Sequence, residues 1–220
     1  RVTLVLRELR PAALAAVLAR GELAAFDRIV IPHEPGEVEL AAFGALPVVR
    51  PGPIVRALPA PPASLTRPAG PRVVAIAGGG GQPVDARRYL RAVIDAHVLA
   101  RARVPALETV VVTGPYAEPL ANADYPGLRV IGATAALPAL LAEASVVISQ
   151  AGYNAIAELR ALARPAILVP GYRKAEDQRA RARRLARIGA AVIARPHPRA
   201  IADQLEALLG ALDALAAMAA

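Results

Sequence analysis

Apolar and polar positions along the chain change period several times, and each change marks an element. Val2–Leu6 is an apolar, β-branched run that predicts a strand. Pro11 suits the first turn of a helix, and Ala12–Arg20 supplies good helix formers until Gly21 stops them. Arg28–Ile31 and Pro47–Val49 predict two more short strands. From Pro51 to Pro71 the pattern breaks down, with seven prolines in 21 residues. Proline fixes φ and removes a backbone donor, so this density builds neither a helix nor a central strand. Ala57–Pro71 is expected to be an extended, stiff linker.

Beyond the linker the pattern is regular. Strands are predicted at Arg72–Ala77, Thr109–Thr113, Leu128–Ile131, Ser145–Ser149, Ala166–Val169 and Ala191–Ala194. Between them lie helices at Val84–Ala100, Leu137–Ala144, Gly152–Ala163 and Ala175–Ile188, with Arg199–Leu209 and Ala211–Ala219 closing the chain. Strands alternating with helices indicate βαβ units and a parallel sheet covered on both faces. Runs such as Val110-Val111-Val112 and Ile167-Leu168-Val169 agree, because a strand buried on both faces has no polar side. The expected fold class is therefore α/β. A Rossmann-like, doubly wound parallel sheet is expected over residues 72–220, its last helices either staying with it or returning to the first domain. Residues 1–56 form an incomplete remnant of a preceding α/β domain, and 57–71 the linker. In such sheets ligands sit beyond the carboxyl ends of the strands. The turns at Gly78–Gln82, Gly114–Tyr116, Gly132–Thr134, Gln150–Asn154 and Gly171–Lys174 all open on that rim.

Composition narrows the functional classes. With 55% hydrophobic and 20% charged residues the chain is neither disordered nor collagenous. Without Cys there is no disulfide framework, thiolate nucleophile or cysteine metal site, which suits a reducing compartment. No apolar run reaches the roughly 18 residues of a membrane span, and Arg1 opens directly into a strand pattern without a signal peptide. That start, with no Met before it, is expected of a chain entered in mid-domain. The net charge of +8 invites a nucleic-acid reading, but basic residues are not interleaved with stacking aromatics, which make up 3% of the chain. An arginine-rich solvated helix surface explains most of the excess, including Arg179–Arg184. Attraction to a nucleotide diphosphate or to an anionic membrane surface stays open.

Three strand-to-helix turns carry candidate chemistry. Gly78–Gly81 lets backbone N–H groups approach a phosphate, although the order is neither G-x-G-x-x-G nor a P-loop. A merely permissive turn fits it equally. Ser149-Gln150-Ala151-Gly152-Tyr153-Asn154 leads into a helix whose N-terminus can hold a diphosphate without a metal. Glu158, a turn and a half into that helix, is placed to accept hydrogen bonds from a ribose diol, or simply to sit as an acid early in a helix. Gly171 to Gln178 forms the third turn, where Asp177 and Gln178 suit sugar hydroxyls, or where Glu176 and Asp177 offset a helix dipole. His33, with Glu34 and Glu37 nearby, fits a Pro-Gly turn with solvated acids better than a metal site. His97 and His197 are expected to be structural.

In order and spacing these turns resemble the donor-binding domain of GT-B glycosyltransferases, above all the MurG-like N-acetylglucosaminyltransferases of glycosyltransferase family 28. The resemblance is strongest in "VVISQAGYNAIAELRALARPAILVPGYRKAEDQRARARRLARIGAAV", residues 146–192, and extends to "AGGGG" at 77–81, "VVTGPY" at 111–116 and "GPIVR" at 52–56. It implies that Gly79, Gly80 and Gly81 line the diphosphate, with Gly80 and Gly81 standing where the family often has Ser and Gln. Ser149, Gln150, Ala151, Gly152, Tyr153 and Asn154 would form the phosphate turn and Arg56 would add charge. Glu158 would hold the ribose, and the backbone at Ile131 and Gly132 would read the base. Asp177, where Gln is common, and Gln178 would contact the sugar.

The resemblance further implies a transferase. A sugar passes from a nucleotide-diphosphate donor, a UDP-sugar by expectation, to an acceptor through a metal-independent inverting displacement. No cofactor and no metal are expected, and the chain carries no Asp-x-Asp. His33 is the candidate catalytic group in this chain. The early strands of the first domain, and the loop that often carries the family's catalytic His, are expected to lie outside these residues, so the chain should bind donor but turn over poorly. The expected setting is cytoplasmic, with contact to the inner face of a membrane open, and without nucleic acid. A nucleotide-sugar hydrolase or epimerase on the same scaffold, and a non-catalytic donor-binding subunit, are the alternatives.

Overall fold

The computed structural model describes residues 1–32, 43–44, 46–56, 70–78, 83–117, 120 and 123–218. The linker expected at 57–71 lies outside them apart from Gly70 and Pro71.

The first part holds β1 (Thr3–Val5), α1 (Pro11–Ala19), a short 3₁₀ turn at Glu22–Ala25, β2 (Arg28–Val30) and β3 (Val48–Val49). The three strands are parallel in the order β1-β2-β3. Their small core gathers Leu6, Ile29, Ile31 and Phe43, with Leu14 and Leu18 of α1 packed against it. The 3₁₀ turn is additional to the expected elements. It starts after Gly21, whose φ of 67° breaks α1 as expected of that glycine.

The second part holds β4 (Arg72–Ile76), α2 (Pro83–Arg101), β5 (Glu108–Val112), β6 (Leu128–Ile131), α3 (Leu137–Glu143) and β7 (Val146–Ser149). It continues with α4 (Tyr153–Leu162), β8 (Ala166–Leu168), α5 (Gln178–Arg187), β9 (Ala191–Ile193) and α6 (Pro198–Met218). Its six strands are all parallel, in the order β6-β5-β4-β7-β8-β9. This is the doubly wound Rossmann order, with the direction of winding reversing between β4 and β7.

Both faces of the sheet are buried. Val73, Ala75, Val111, Ile148 and Ile167 pack under α2 and α6 through Leu90, Val93, Ile94, Ile201 and Leu205. The alternate residues Val74, Ile76, Val110, Val112, Val147 and Leu168 pack under Leu141, Ile156, Leu159, Ala182 and Leu185. The apolar strand runs are thus split between two cores by the pleat, residue by residue.

Two helices differ from expectation. The C-terminal segment is one helix, α6, running through Gly210 rather than two. A glycine in a helix interior costs about 1 kcal/mol, whereas a fully buried Leu or Ile gains about 1.5–3 kcal/mol. Ile201, Leu205 and Leu209 lie in the core ahead of the glycine, Leu212 packs against the same core just beyond it, and the Ala- and Leu-rich run Ala211–Met218 supplies good helix formers that carry the helix on. Helix α5 begins at Gln178 rather than Ala175 because Asp177 caps it, Oδ1 accepting from the Ala180 N–H at 2.9 Å.

Candidate functional site at the sheet's carboxyl rim

The ladder registers bring all six strands to one level. Ile131 lies opposite Val112, Ile76 opposite both Val112 and Ser149, and Leu168 opposite Ser149 and Ile193. The switch between β4 and β7 is pinned from below by Tyr89 of α2. Its buried hydroxyl lies 3.1 Å from the Ile76 carbonyl and 2.9 Å from that of Ile148. Burial pushes this phenol's pKa upward, so it remains a neutral donor.

Directly above stands the turn from β7 into α4. Ser149 and Gln150 are buried, and Ala151 is fully buried with φ at 62°. An L-residue in the left-handed region costs about 1–2 kcal/mol, so the fold must hold it there. Arg181 does so, Nη1 donating to the Ala151 carbonyl at 2.9 Å. Gly152 then starts α4 without any side-chain cap. The first N–H groups of an α-helix have no intrahelical partners, and such an end carries partial positive charge. Asn154 is exposed beside it. The Tyr153 hydroxyl donates to the Pro32 carbonyl in the first part of the chain, and the Arg181 guanidinium carbon lies 5.8 Å from the Tyr153 ring centroid.

Glu158 points inward on α4 and is 5% exposed. Its Oε1 lies 2.5 Å from Nε of Arg56, which is about half-exposed. Two residues expected to serve opposite ends of a nucleotide, ribose and diphosphate, are therefore paired with each other.

Asp177 and Gln178 are neighbours of the same rim, and both are engaged. Gln178 is buried and its Oε1 accepts from the Gly171 N–H at 3.0 Å, closing the loop. Asp177 caps α5 while its Oδ2 lies 3.7 Å from Arg10 Nη1. The Ala180 N–H, helped by Arg10, holds its carboxyl below the usual aspartate range. At the other end of the rim the Ile131 carbonyl accepts from Thr113, backbone N–H at 3.0 Å and hydroxyl at 3.3 Å. Gly132 is exposed beyond it. Gly78, with φ at 65°, opens the glycine turn. Gly79, Gly80, Gly81 and His33 lie outside the described residues.

His97 is structural as expected. It is buried between Thr109 Oγ1 at 2.9 Å and the Pro126 carbonyl at 3.0 Å.

Four charged residues at the rim escape the sequence reading. Arg173 donates to Gln150 Oε1 at 3.2 Å and lies 3.4 Å from Asp85 Oδ2 at the start of α2. Arg181 is 4% exposed, which corrects the expectation that Arg179–Arg184 is wholly a solvated face. It sits with Gln178, Ala182 and Leu185 on the buried stripe of α5. That i, i+3, i+4, i+7 spacing is visible in the sequence and was the available signal. Glu8, buried ahead of α1, accepts from Arg181 Nε at 2.9 Å and from Arg184 Nη2 at 2.6 Å. Arg10, the residue before α1, reaches the loop ahead of α5.

The strand order, with its switch point between β4 and β7, defines a doubly wound, Rossmann-like α/β domain. The family model for the glycosyltransferase family 28 C-terminal domain matches residues 73–219, and the chain belongs to that family. Among curated proteins it is 35% identical over 146 residues to the UDP-N-acetylglucosamine–N-acetylmuramyl-(pentapeptide) pyrophosphoryl-undecaprenol N-acetylglucosamine transferase of Prochlorococcus marinus (strain MIT 9303), covering 64% of this chain and 39% of that protein. It is 45% identical over 89 residues to the enzyme of the same name from Methylobacterium sp. (strain 4-46), covering 38% of this chain and 24% of that protein. The chain thus spans less than half the length of these relatives. The glycotransferase of kitacinnamycin shares the fold at a TM-score of 0.60 with 19% identity, covering 90% of this chain and 52% of that one. Among the described residues no helix is long and apolar enough to cross a membrane.

Proposed function

We propose that this chain carries the donor site of a glycosyltransferase that moves a sugar from a UDP-sugar to a lipid-linked acceptor at the cytoplasmic face of a membrane. The observation that carries the reading is the uncapped N-terminus of α4 at the β4/β7 switch point, with Ala151 held in the left-handed region by Arg181. A nucleoside diphosphate has the charge that a helix N-terminus favours. Arg173 beside Gln150 adds a cation to the same rim. The names of the relatives supply the UDP-sugar and the lipid-linked acceptor.

In this reading a ribose diol binds the Glu158 carboxylate, taking Oε2 or displacing Arg56 from Oε1. Arg56 then turns toward the diphosphate. An acceptor hydroxyl attacks the anomeric carbon as the bond from that carbon to the diphosphate oxygen breaks, with inversion. The nucleoside diphosphate leaves with the bonding electron pair, and the α4 N-terminus stabilises the charge without reorganising. The hydroxyl proton passes to a base on the acceptor side of the cleft, for which His33 is the candidate within this chain. Because the helix N-terminus and arginines supply the positive charge, no metal is required.

Titration calorimetry of the chain with UDP, dTDP and GDP, each with Mg²⁺ or with EDTA, tests this. UDP is expected to bind and to be indifferent to EDTA. Absence of nucleotide binding, or binding only with Mg²⁺, overturns the donor site as described. Free N-acetylglucosamine released from UDP-N-acetylglucosamine at full rate without acceptor replaces the transferase by a hydrolase.

A further inference from the structure

The loop between β8 and α5, residues 169–177, forms one wall of the rim, yet much of what holds it comes from the other sheet. Arg10 lies ahead of α1, more than 160 positions away in the chain. Its backbone N–H donates to the Ala175 carbonyl at 2.8 Å. Its Nε donates to the carbonyls of Arg173 at 3.1 Å and Glu176 at 2.8 Å. Its Nη1 stands 3.7 Å from Asp177 Oδ2, and its guanidinium carbon lies 5.5 Å from the Tyr172 ring centroid. One residue thus touches Tyr172, Arg173, Ala175, Glu176 and Asp177. A planar guanidinium can meet carbonyls, a carboxylate and a ring face together, which a lysine ammonium cannot. Arg7 adds an ion pair to Glu176 at 3.1 Å, but it is mostly exposed and makes that contact alone among those described.

We propose that Arg10 is a specificity-determining positioning residue. From the first sheet it fixes the shape of loop 171–177, so a residue outside the nucleotide-binding domain sets which donor sugar is accepted. The inference rests on the donor-site reading above. The nucleotide contacts the α4 N-terminus and Glu158, whereas the sugar reaches the loop that Arg10 shapes. Selecting a sugar needs polar groups held in place, because discrimination comes from hydrogen bonds that the wrong ligand leaves unmade.

The test uses the full chain with Arg10→Ala, Arg10→Lys and, as a control in the same segment, Arg7→Ala. Calorimetry gives affinities for UDP, UDP-N-acetylglucosamine and UDP-glucose, and amide hydrogen exchange is followed at 172–177 and in β6 at 128–131. In Arg10→Ala, UDP affinity is expected to stay within about twofold, while the ratio between the two UDP-sugars falls by about tenfold toward one. Exchange at 172–177 rises by at least about tenfold and β6, reporting the folded state, is unchanged. Arg10→Lys keeps the charge but not the fork and does not restore the ratio. Arg7→Ala leaves both readouts at parental values. Unchanged exchange at 172–177 in Arg10→Ala overturns the proposal, as do equal losses for UDP and both UDP-sugars. If the parent chain binds no nucleotide, the donor-site reading falls and takes sugar selection with it. Exchange at 172–177 then decides separately whether Arg10 holds the loop.

Discussion

Arg181 reaches from the buried face of α5 to the carbonyl of Ala151 at 2.9 Å, gripping the residue whose left-handed backbone precedes α4. The same guanidinium is held by Glu8 at 2.9 Å and Glu176 at 3.3 Å. The turn at Ala151 is therefore tied to the first part of the chain through a buried charge pair.

Arg181→Met should destabilise the chain strongly. Removing one partner of a buried pair leaves the other charge uncompensated, at a cost of about 3–5 kcal/mol; Arg184, still 2.6 Å from Glu8, should keep the loss near the lower figure. Adding Glu8→Leu to Arg181→Met should recover part of it, since the buried Glu8 carboxylate, left with Arg184 alone, is then removed. Urea unfolding of the two variants checks this; a double variant no more stable than Arg181→Met alone contradicts it.

Gly152→Asp should trade binding for stability. Gly152 has φ at −61°, and a Cβ there would meet nothing within 4 Å, so the side chain fits without strain. In place of Gly, an Asp cap adds a few tenths of a kcal/mol, and its charge at the helix N-terminus adds about 0.3–1 kcal/mol. It also places a carboxylate where the diphosphate is proposed to sit, and UDP affinity should fall by at least about tenfold through like-charge repulsion. Thermal unfolding and UDP titration of one preparation read both effects. A variant that is stabilised and still binds UDP at parental strength removes the α4 N-terminus from the site.

Glu158→Ala should weaken UDP binding by about 1–3 kcal/mol, the usual worth of hydrogen bonds to a charged group. The loss should be clearly smaller for 2′-deoxy-UDP, which lacks one of the two hydroxyls. Competition calorimetry separates them. Equal losses would mean that Glu158 serves only its ion pair with Arg56.

Stability should fall on the acid side of neutrality through His97. The Pro126 carbonyl can only accept, so Nε2 carries the proton and Nδ1 accepts from the Thr109 hydroxyl. Burial, with Arg101 nearby, lowers the pKa of His97 below the ordinary value of 6.5. A depressed pKa in the folded state contributes stability above the unfolded value, and that contribution is lost as pH falls through the folded one. The parental chain should therefore lose stability below about pH 6.5, and His97→Gln should be less stable at pH 7 with a flatter profile between pH 5 and 7. Urea midpoints across that range decide; parallel profiles would exclude His97 as the origin.

Sequence alone determined the alternation of strands and helices beyond residue 72, the parallel sheet and the level at which its turns open. These follow from local rules. A strand buried on both faces must be apolar throughout, and a tight strand-to-helix turn must use small residues, as at Ser149–Gly152. The position of Glu158 a turn and a half into α4 was legible too, whereas its burial on the inner face was settled by the packing of that helix. The continuity of α6 through Gly210 was not, because the glycine's own preference points to a stop, whereas the helix-forming run beyond it and the contact of Leu212 with the core carry the helix on.

Only the tertiary structure decided which charges meet. Arg56 with Glu158, Glu8 with Arg181, and Arg10 with the loop at 172–177 are each separated by at least a hundred positions in the chain. No periodicity relates such residues. Their meeting depends on where the first sheet lies against α4 and α5, and a buried arginine is stable only where that placement supplies its acids and carbonyls.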